Sequence, residues 1–240
     1  MNLRRIVLGL GLQESSAAMA LATELAGAMH LELLGLFVED IELLHFAALP
    51  FAREVCLSSA TSRQLDADSM VRALQQRAAQ VRRTLHRRLE GQSIQWAFEV
   101  VRGPVMPMLL AGAQETDLLV ASLPARAPGR TPRDMSAPFA QVRSARAPML
   151  LVRDGVPRRA PFVVLGAPEA SPQGVAAPVS VLARRFGSPV VYLTGDAQQL
   201  RGQLARMRPG LVAVAGPQAL DEAAALGLDE LNCTLLLLPS

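Results

Sequence analysis

The sequence contains no lysine; all 24 of its basic residues are arginine. That excludes every mechanism needing a lysine, a Schiff base or a P-loop lysine among them. Cysteine is nearly absent too. Cys56 and Cys233 lie far apart, and no C-x-x-C or Cys/His ligand spacing exists, so neither a disulfide framework nor a zinc site is supported. The three histidines, His30, His45 and His86, are scattered. Aromatic residues make up 4% of the chain, so a core must be built mostly from leucine, valine and alanine. The formal net charge of +3 is too small to argue for a nucleic-acid partner by itself. No apolar run approaches the roughly 18 residues of a membrane span. Met1 to Leu12 holds two arginines and then a short apolar stretch without a clear cleavage site, at the short limit for a signal peptide. A soluble protein in a reduced, cytoplasmic setting is expected. No nucleophile elbow G-x-S-x-G is present, and no spacing ties Ser, His and Asp into a triad.

What the chain does have is apolar residues, which make up half of its 240 positions. That is enough for one large domain or two small ones. Arg4–Leu10 reads as a buried strand, residues 14–29 as a helix capped by Ser15 or Ser16, and residues 31–38 as a second strand. Near-continuous apolar runs alternating with helices point to a parallel sheet covered on both faces. In residues 65–89, Val71, Leu74, Ala78, Val81, Leu85 and Leu89 recur every three or four positions and form one buried stripe of a long helix. Arg72, Arg77, Arg82, Arg83, Arg87 and Arg88 occupy much of the remainder. They read as a solvated face, with an acidic partner or nucleic acid as the alternative. No aromatic platform is interleaved with them, which counts against single-stranded nucleic acid. Ile94–Val101 reads as a third strand with Arg102-Gly103-Pro104 as its turn. A helix at 105–115, a strand at Leu118–Ala121, a short helix at 137–145 and a fifth strand at Met149–Val152 follow. The run 153–161 is a linker by composition.

After that linker the pattern restarts. Ile6-Val7-Leu8-Gly9 is echoed by Val163-Val164-Leu165-Gly166, and the same offset without gaps sets Leu25-Ala26 on Leu182-Ala183 and Leu36 on Leu193. Strand, helix and strand recur at 162–166, 174–186 and 189–194, and Leu211–Val214 and Thr234–Leu238 match the fourth and fifth strands. Residues 41–116 have no counterpart except the short run 197–208, so the second copy is abridged.

This order of elements resembles the universal stress protein family. The residues that carry it are "VVRGPVMPMLLAGAQETDLLVAS" (100–122), with its Gly-Pro turn, its helix with a buried alanine (Ala113) and its Asp-leucine strand, and "RSARAPMLLVR" (143–153), similar to that family's closing segment. The resemblance implies an α/β fold of open parallel sheets, Rossmann-like or flavodoxin-like, in two tandem units. Residues 1–154 form a unit with an altered nucleotide loop, 155–161 a linker and 162–240 an abridged unit. ATP-binding members carry G-x2-G-x9-G-[S/T] after the fourth strand, where glycines let backbone N–H groups approach phosphate and a helix start adds its dipole. Here the spacing is kept by Ser122, Ala125, Met135 and Ser136, but only Ser136 keeps its type. Pro124, Pro128 and Pro132 remove donors from the loop. Arg126, Arg130 and Arg133 could hold phosphate by side chain instead. An aspartate that such members usually place just past the first strand is Gly11 here.

The site implied by this fold is the carboxyl end of the strands, at Leu10, Gly11, Val38, Gly103 and Ser122, continuing through Ala125, Arg126, Arg130, Arg133 and Ser136. The first expectation is a non-enzymatic stress-response protein with a degenerate ATP motif and no resident cofactor. It would act through protein partners or self-association, including pairing of the edges of its final strands, 149–152 or 234–238, between domains or between chains. The alternative is an ATP- or AMP-binding sensor in which the arginine loop replaces the glycine cradle. Gly9-Leu10-Gly11-Leu12-Gln13-Glu14 is nearly G-x-G-x-x-G, but Glu14 would repel a pyrophosphate; Glu39-Asp40 would meet a ribose or cap a helix. Residues 41–57, with Phe46 and Phe51, read as core or dimer contact. Met19, Met29, Met106 and Met108 read as core filler.

Overall fold

The computed structural model describes residues 3–11, 16–55, 62–123, 147–155, 160–166, 173–215, 222–223, 226–228 and 231–238. The elements run β1 (Arg5–Leu10), α1 (Ser16–Met29), β2 (Glu32–Asp40), α2 (Ile41–Ala47), β3 (Arg53–Val55), β4 (Ser62–Gln64), α3 (Ala67–Leu89), β5 (Trp96–Gly103), α4 (Val105–Ala111), β6 (Asp117–Leu123) and β7 (Met149–Arg153). They continue as β8 (Phe162–Leu165), α5 (Gln173–Phe186), β9 (Val190–Leu193), α6 (Ala197–Met207), β10 (Leu211–Ala215) and β11 (Thr234–Leu238).

Nine of these strands make one sheet in the order β5-β2-β1-β6-β7-β11-β10-β8-β9, and β3 and β4 form a separate hairpin. Every neighbouring pair in the nine is parallel except one: β7 and β11 meet antiparallel, Leu150 opposite Leu236. The α/β class with open, mostly parallel sheets is therefore as the sequence indicates. Burial follows position in the sheet. The central strands β7 and β11 are buried at all five residues, because helices cover both faces and both edges are paired. The terminal strands β5 and β9 are the least buried. Along each central strand, alternate side chains feed two separate cores. Ile6, Leu8, Leu118, Val120, Leu150 and Leu236 meet α1, α3 and α5. Val7, Leu119, Leu151, Val212 and Leu235 meet Leu109 of α4 and Leu200 and Leu204 of α6.

The strand–helix–strand order recurs across the joint with matching detail. After α1, His30 takes a left-handed φ of 54° and the Leu31 N–H donates to the Ala26 carbonyl at 3.0 Å. After α5, Gly187 has φ 63° and the Ser188 N–H donates to the Ala183 carbonyl at 2.9 Å. These are the same helix ending at the same sequence offset. Beyond it the ungapped match slips by one residue: Leu8 pairs with Gly35, whereas Leu165 pairs with Leu193, so Leu193 stands in the place of Gly35 and not of Leu36.

Several expectations need correcting. Of the two ways the final strands were expected to pair, the one within the chain is found and the one between chains is not: β7 and β11 pair with each other, and each lies between two neighbours, β7 between β6 and β11, and β11 between β7 and β10. The ladder between β2 and β5 runs on to Asp40 opposite Gly103, so Arg102-Gly103 belongs to the strand and not to a turn. The following helix stops at Ala111, which leaves Ala113 beyond it and half-buried. Residues 41–55 are core only in part: Ala47 and Ala52 are buried, but Phe46 is 50% and Phe51 72% exposed. The four methionines do pack in or against the two cores. Ser15 and the helix expected at 137–145 fall outside the described residues.

Candidate functional site

The parallel register brings Leu10, Gly11, Val38, Gly103 and Ser122 to one end of the sheet. Leu10 lies opposite Phe37, Val38 opposite Val101, Asp40 opposite Gly103, and Ser122 opposite Val152. Ala125, Arg126, Arg130, Arg133 and Ser136 lie outside the described residues, so the loop that would complete the site is not placed. Within the part that is placed, the side chains are spent on structure. Leu10 and Val38 are 5% and 1% exposed and belong to opposite cores. Gly103 does not leave room for a ligand. A Cβ there would come within 2.7 Å of the Met108 Cγ, so its missing side chain is what lets α4 fold back against the strand. Gly11 and Ser122 remain half-buried, and Gly11 has open space on its Cβ side.

Both acids at the end of β2 are engaged. Glu39 is 7% exposed and its Oε2 accepts from Arg102 Nη2 at 2.8 Å and Nε at 3.1 Å. The Asp40 Oδ1 accepts from the Glu42 N–H at 2.9 Å and caps α2. The helix-capping reading of Glu39-Asp40 is the one that holds for Asp40, and Glu39 is held by Arg102. On the strands themselves the arginines at this end are Arg102, held by Glu39, and Arg153, which is 4% exposed.

The opposite end of the sheet is braced by a second ion pair. Arg5 Nη2 donates to Asp117 Oδ2 at 2.7 Å, Arg5 Nε to Oδ1 at 3.1 Å, and the Gln114 N–H also reaches Oδ2 at 2.9 Å. The hydrogen bond to Asp117 raises the Arg5 pKa above its ordinary value. Asp117 is 1% exposed, so this is a fold-holding pair and not a reactive one. Burial pushes the Cys233 thiol up to about 12, which removes it as a nucleophile near neutral pH. Among the described residues no group of three or more His, Cys, Asp or Glu is placed to hold a metal ion. None of the described helices is long and apolar enough to cross a membrane.

One feature was not legible in advance. Between α3 and the terminal strand β5 lies a groove of about 730 Å³. Arg82, Arg83 and His86 line one wall, and Trp96, Phe98 and Val100 form the other. The rings of His86 and Trp96 lie 5.8 Å apart, tilted by 34°. The arginines of α3 have aromatic neighbours after all, supplied by the adjacent strand and not by the helix. The alternation of Trp96, Phe98 and Val100 was the available signal, because residues two apart on a strand share a face.

No family model and no curated protein matches the sequence. Solved structures do match the fold. A chain described as a universal stress protein from Pseudomonas aeruginosa UCBPP-PA14 superposes with TM-score 0.56 at 12% identity, covering 99% of this chain and 93% of that one. A universal stress protein from Archaeoglobus fulgidus DSM 4304 gives TM-score 0.56 at 10% identity, covering 98% and 96%. A functionally unknown protein from Pseudomonas aeruginosa PAO1 gives 0.55 at 12%, covering 99% and 92%. At such identities the likeness is one of architecture, and what it establishes is that this chain, over nearly its whole length, has the fold of universal stress proteins.

Proposed function

We propose that this chain is a universal-stress-type protein that acts through contacts with other proteins, without catalysis and with a degenerate nucleotide loop. The observation that carries the reading is the carboxyl end of β1, β2, β5 and β6. Leu10 and Val38 are packed into the two cores, the Gly103 gap is filled by Met108, and Glu39 and Asp40 are committed to Arg102 and to the α2 cap. The sequence adds Ser122, Ala125 and Met135 at the three positions where a backbone cradle needs glycine. On this reading residues 1–154 and 162–240 are two copies of one unit joined by 155–161, and the protein works in the cytoplasm. Its contacts do not run through the final strands, which are already paired with each other.

The second reading, an ATP or AMP sensor, is favoured by Arg126, Arg130, Arg133 and Ser136 within the retained spacing. One experiment separates the two. Small molecules released by denaturing freshly purified protein are identified by mass spectrometry, and the native protein is titrated with ATP and AMP. The contact reading expects no nucleotide and no binding tighter than roughly 1 mM. Stoichiometric nucleotide, lost on replacing Arg126, Arg130 and Arg133 with alanine, establishes the sensor instead.

A further inference from the structure

The groove beside α3 has a second property that a cleft between two helices would lack. Among the described residues β5 ends the sheet, so its outer edge carries unpaired backbone groups. The Gln95 carbonyl accepts from the Leu33 N–H at 2.9 Å and therefore faces inward. Backbone groups alternate sides along a strand, so Trp96, Phe98 and Val100 turn their N–H and C=O outward. The side chains of the same three residues form the apolar floor of the groove, and Val100 is 50% exposed. The wall above them is cationic. Arg82 and Arg83 face the groove, α3 as a whole carries six arginines against one acid, Asp68, and the acid that lines the groove, Glu39, is neutralised by Arg102.

From this geometry we propose that the α3–β5 groove takes an extended, acidic peptide segment of a partner protein. The segment adds a strand to the β5 edge, its backbone bonded to Trp96, Phe98 and Val100 and its carboxylates facing Arg82 and Arg83. Strand addition of this kind draws affinity from main-chain bonds and specificity from alternate side chains. From Trp96 to Val100 the edge spans about 13 Å at the strand rise, room for roughly five residues. Charge selects the partner: basic segments are repelled by α3, acidic ones attracted. Two other occupants fit less well. A second copy pairing antiparallel through β5 would set its own arginine-rich α3 beside this one, like charge against like. A nucleic acid has no backbone amides for the open edge, and Trp96 and Phe98 are packed against the core and His86 instead of standing free for stacking.

The inference rests on the reading that the chain acts through protein contacts, and its test is kept separate from that reading. Full-length protein is titrated into a fluorescein-labelled peptide of about ten residues alternating glutamate and valine, with a lysine–valine peptide and a single-stranded oligonucleotide as competitors. The glutamate peptide is expected to bind, more weakly as salt is raised. The double variant R82E/R83E should weaken it by at least roughly tenfold while leaving the circular dichroism spectrum intact, since both side chains are exposed. V100P, which removes one outward N–H at an edge where proline is tolerated, should weaken it similarly. No binding, or binding that R82E/R83E leaves unchanged, overturns the proposal. So does an oligonucleotide that displaces the peptide and binds more tightly. Nucleotide found on the 122–136 segment would overturn the contact reading and leave the peptide titration to decide the groove alone.

Discussion

The two halves of the sheet start alike and end differently. The first half lays out β5-β2-β1-β6-β7; the second lays out β11-β10-β8-β9, the same order reversed by the antiparallel joint and one strand shorter. Strand, helix and strand repeat closely, down to the hydrogen bond that closes α1 and α5. Among the described residues the second half has no counterpart of α3 or β5. Its terminal strand is β9, four residues long, and the helix after it, α6, packs on the other face with Leu200 and Leu204. The difference teaches which parts are framework and which are addition. A pair of parallel units needs only the shared kernel to cover a central sheet. The arginine helix, the long edge strand and the groove between them belong to one half alone, and so do the exposed Phe46, Phe51 and Val55. Among the described residues, these features of the first half lie at its outer flank, four strands from the joint.

The joint gives the strongest way to break this comparison. Leu150→Asp places an unpaired carboxylate opposite Leu236, where both side chains are at most 1% exposed. A loss of more than about 4 kcal/mol, enough to unfold the chain, is expected. Thermal and urea melts followed by circular dichroism should show both halves lost together. A surviving transition with half the signal would mean that the halves are independent bodies and only touch. The next largest effect tests whether α3 is framework or addition. Leu85 is fully buried and packs over Gly35, with its Cδ2 only 2.9 Å from where a Cβ on that glycine would sit. Leu85→Ala should cost about 2–5 kcal/mol in the same melts. A cost below about 1 kcal/mol would make α3 an appendage that the first half could lose, as the second half has no such helix. The smallest effect sharpens the second half. Asp196 caps α6, accepting from the Gln199 N–H at 2.8 Å, as Asp66 caps α3 through the Ser69 N–H at 2.8 Å. Asp196→Ala should cost about 1 kcal/mol. No change in the melt would mean that α6 is held by Leu200 and Leu204 alone.

The strands were readable because parallel strands buried on both faces are written as short apolar runs. Ile6–Leu10, Leu118–Ala121, Met149–Val152 and Leu211–Val214 need no partner to be recognised. Their ends were not readable. β2 and β5 extend each other to Asp40 and Gly103 because pairing carries polar residues into the ladder, and no local pattern records that. The joint was legible only as one of two choices, final strands pairing within the chain or between chains, and the three-dimensional order shows that β7 and β11 choose each other. The site shows the same split. Register placed Leu10, Gly11, Val38, Gly103 and Ser122 together as the fold type demands. Composition did not say that Met108 would fill the gap at Gly103 or that Arg102 would claim Glu39. The groove escaped because its two walls follow different periods, 3.6 along α3 and 2 along β5, and neither alone mixes arginine with tryptophan.

The antiparallel meeting of β7 and β11 also sets how this protein is free to change. Two separate copies associating by the same strands would share one surface, so each substitution would appear twice and the pairing would weaken on dilution. Here the two strands belong to one chain and meet at an effective concentration fixed by the connection between them. Met149, Leu150 and Leu151 face Leu237, Leu236 and Leu235, which are different positions and can vary one at a time. The symmetry requirement is gone, and with it the need for the two flanks to resemble each other.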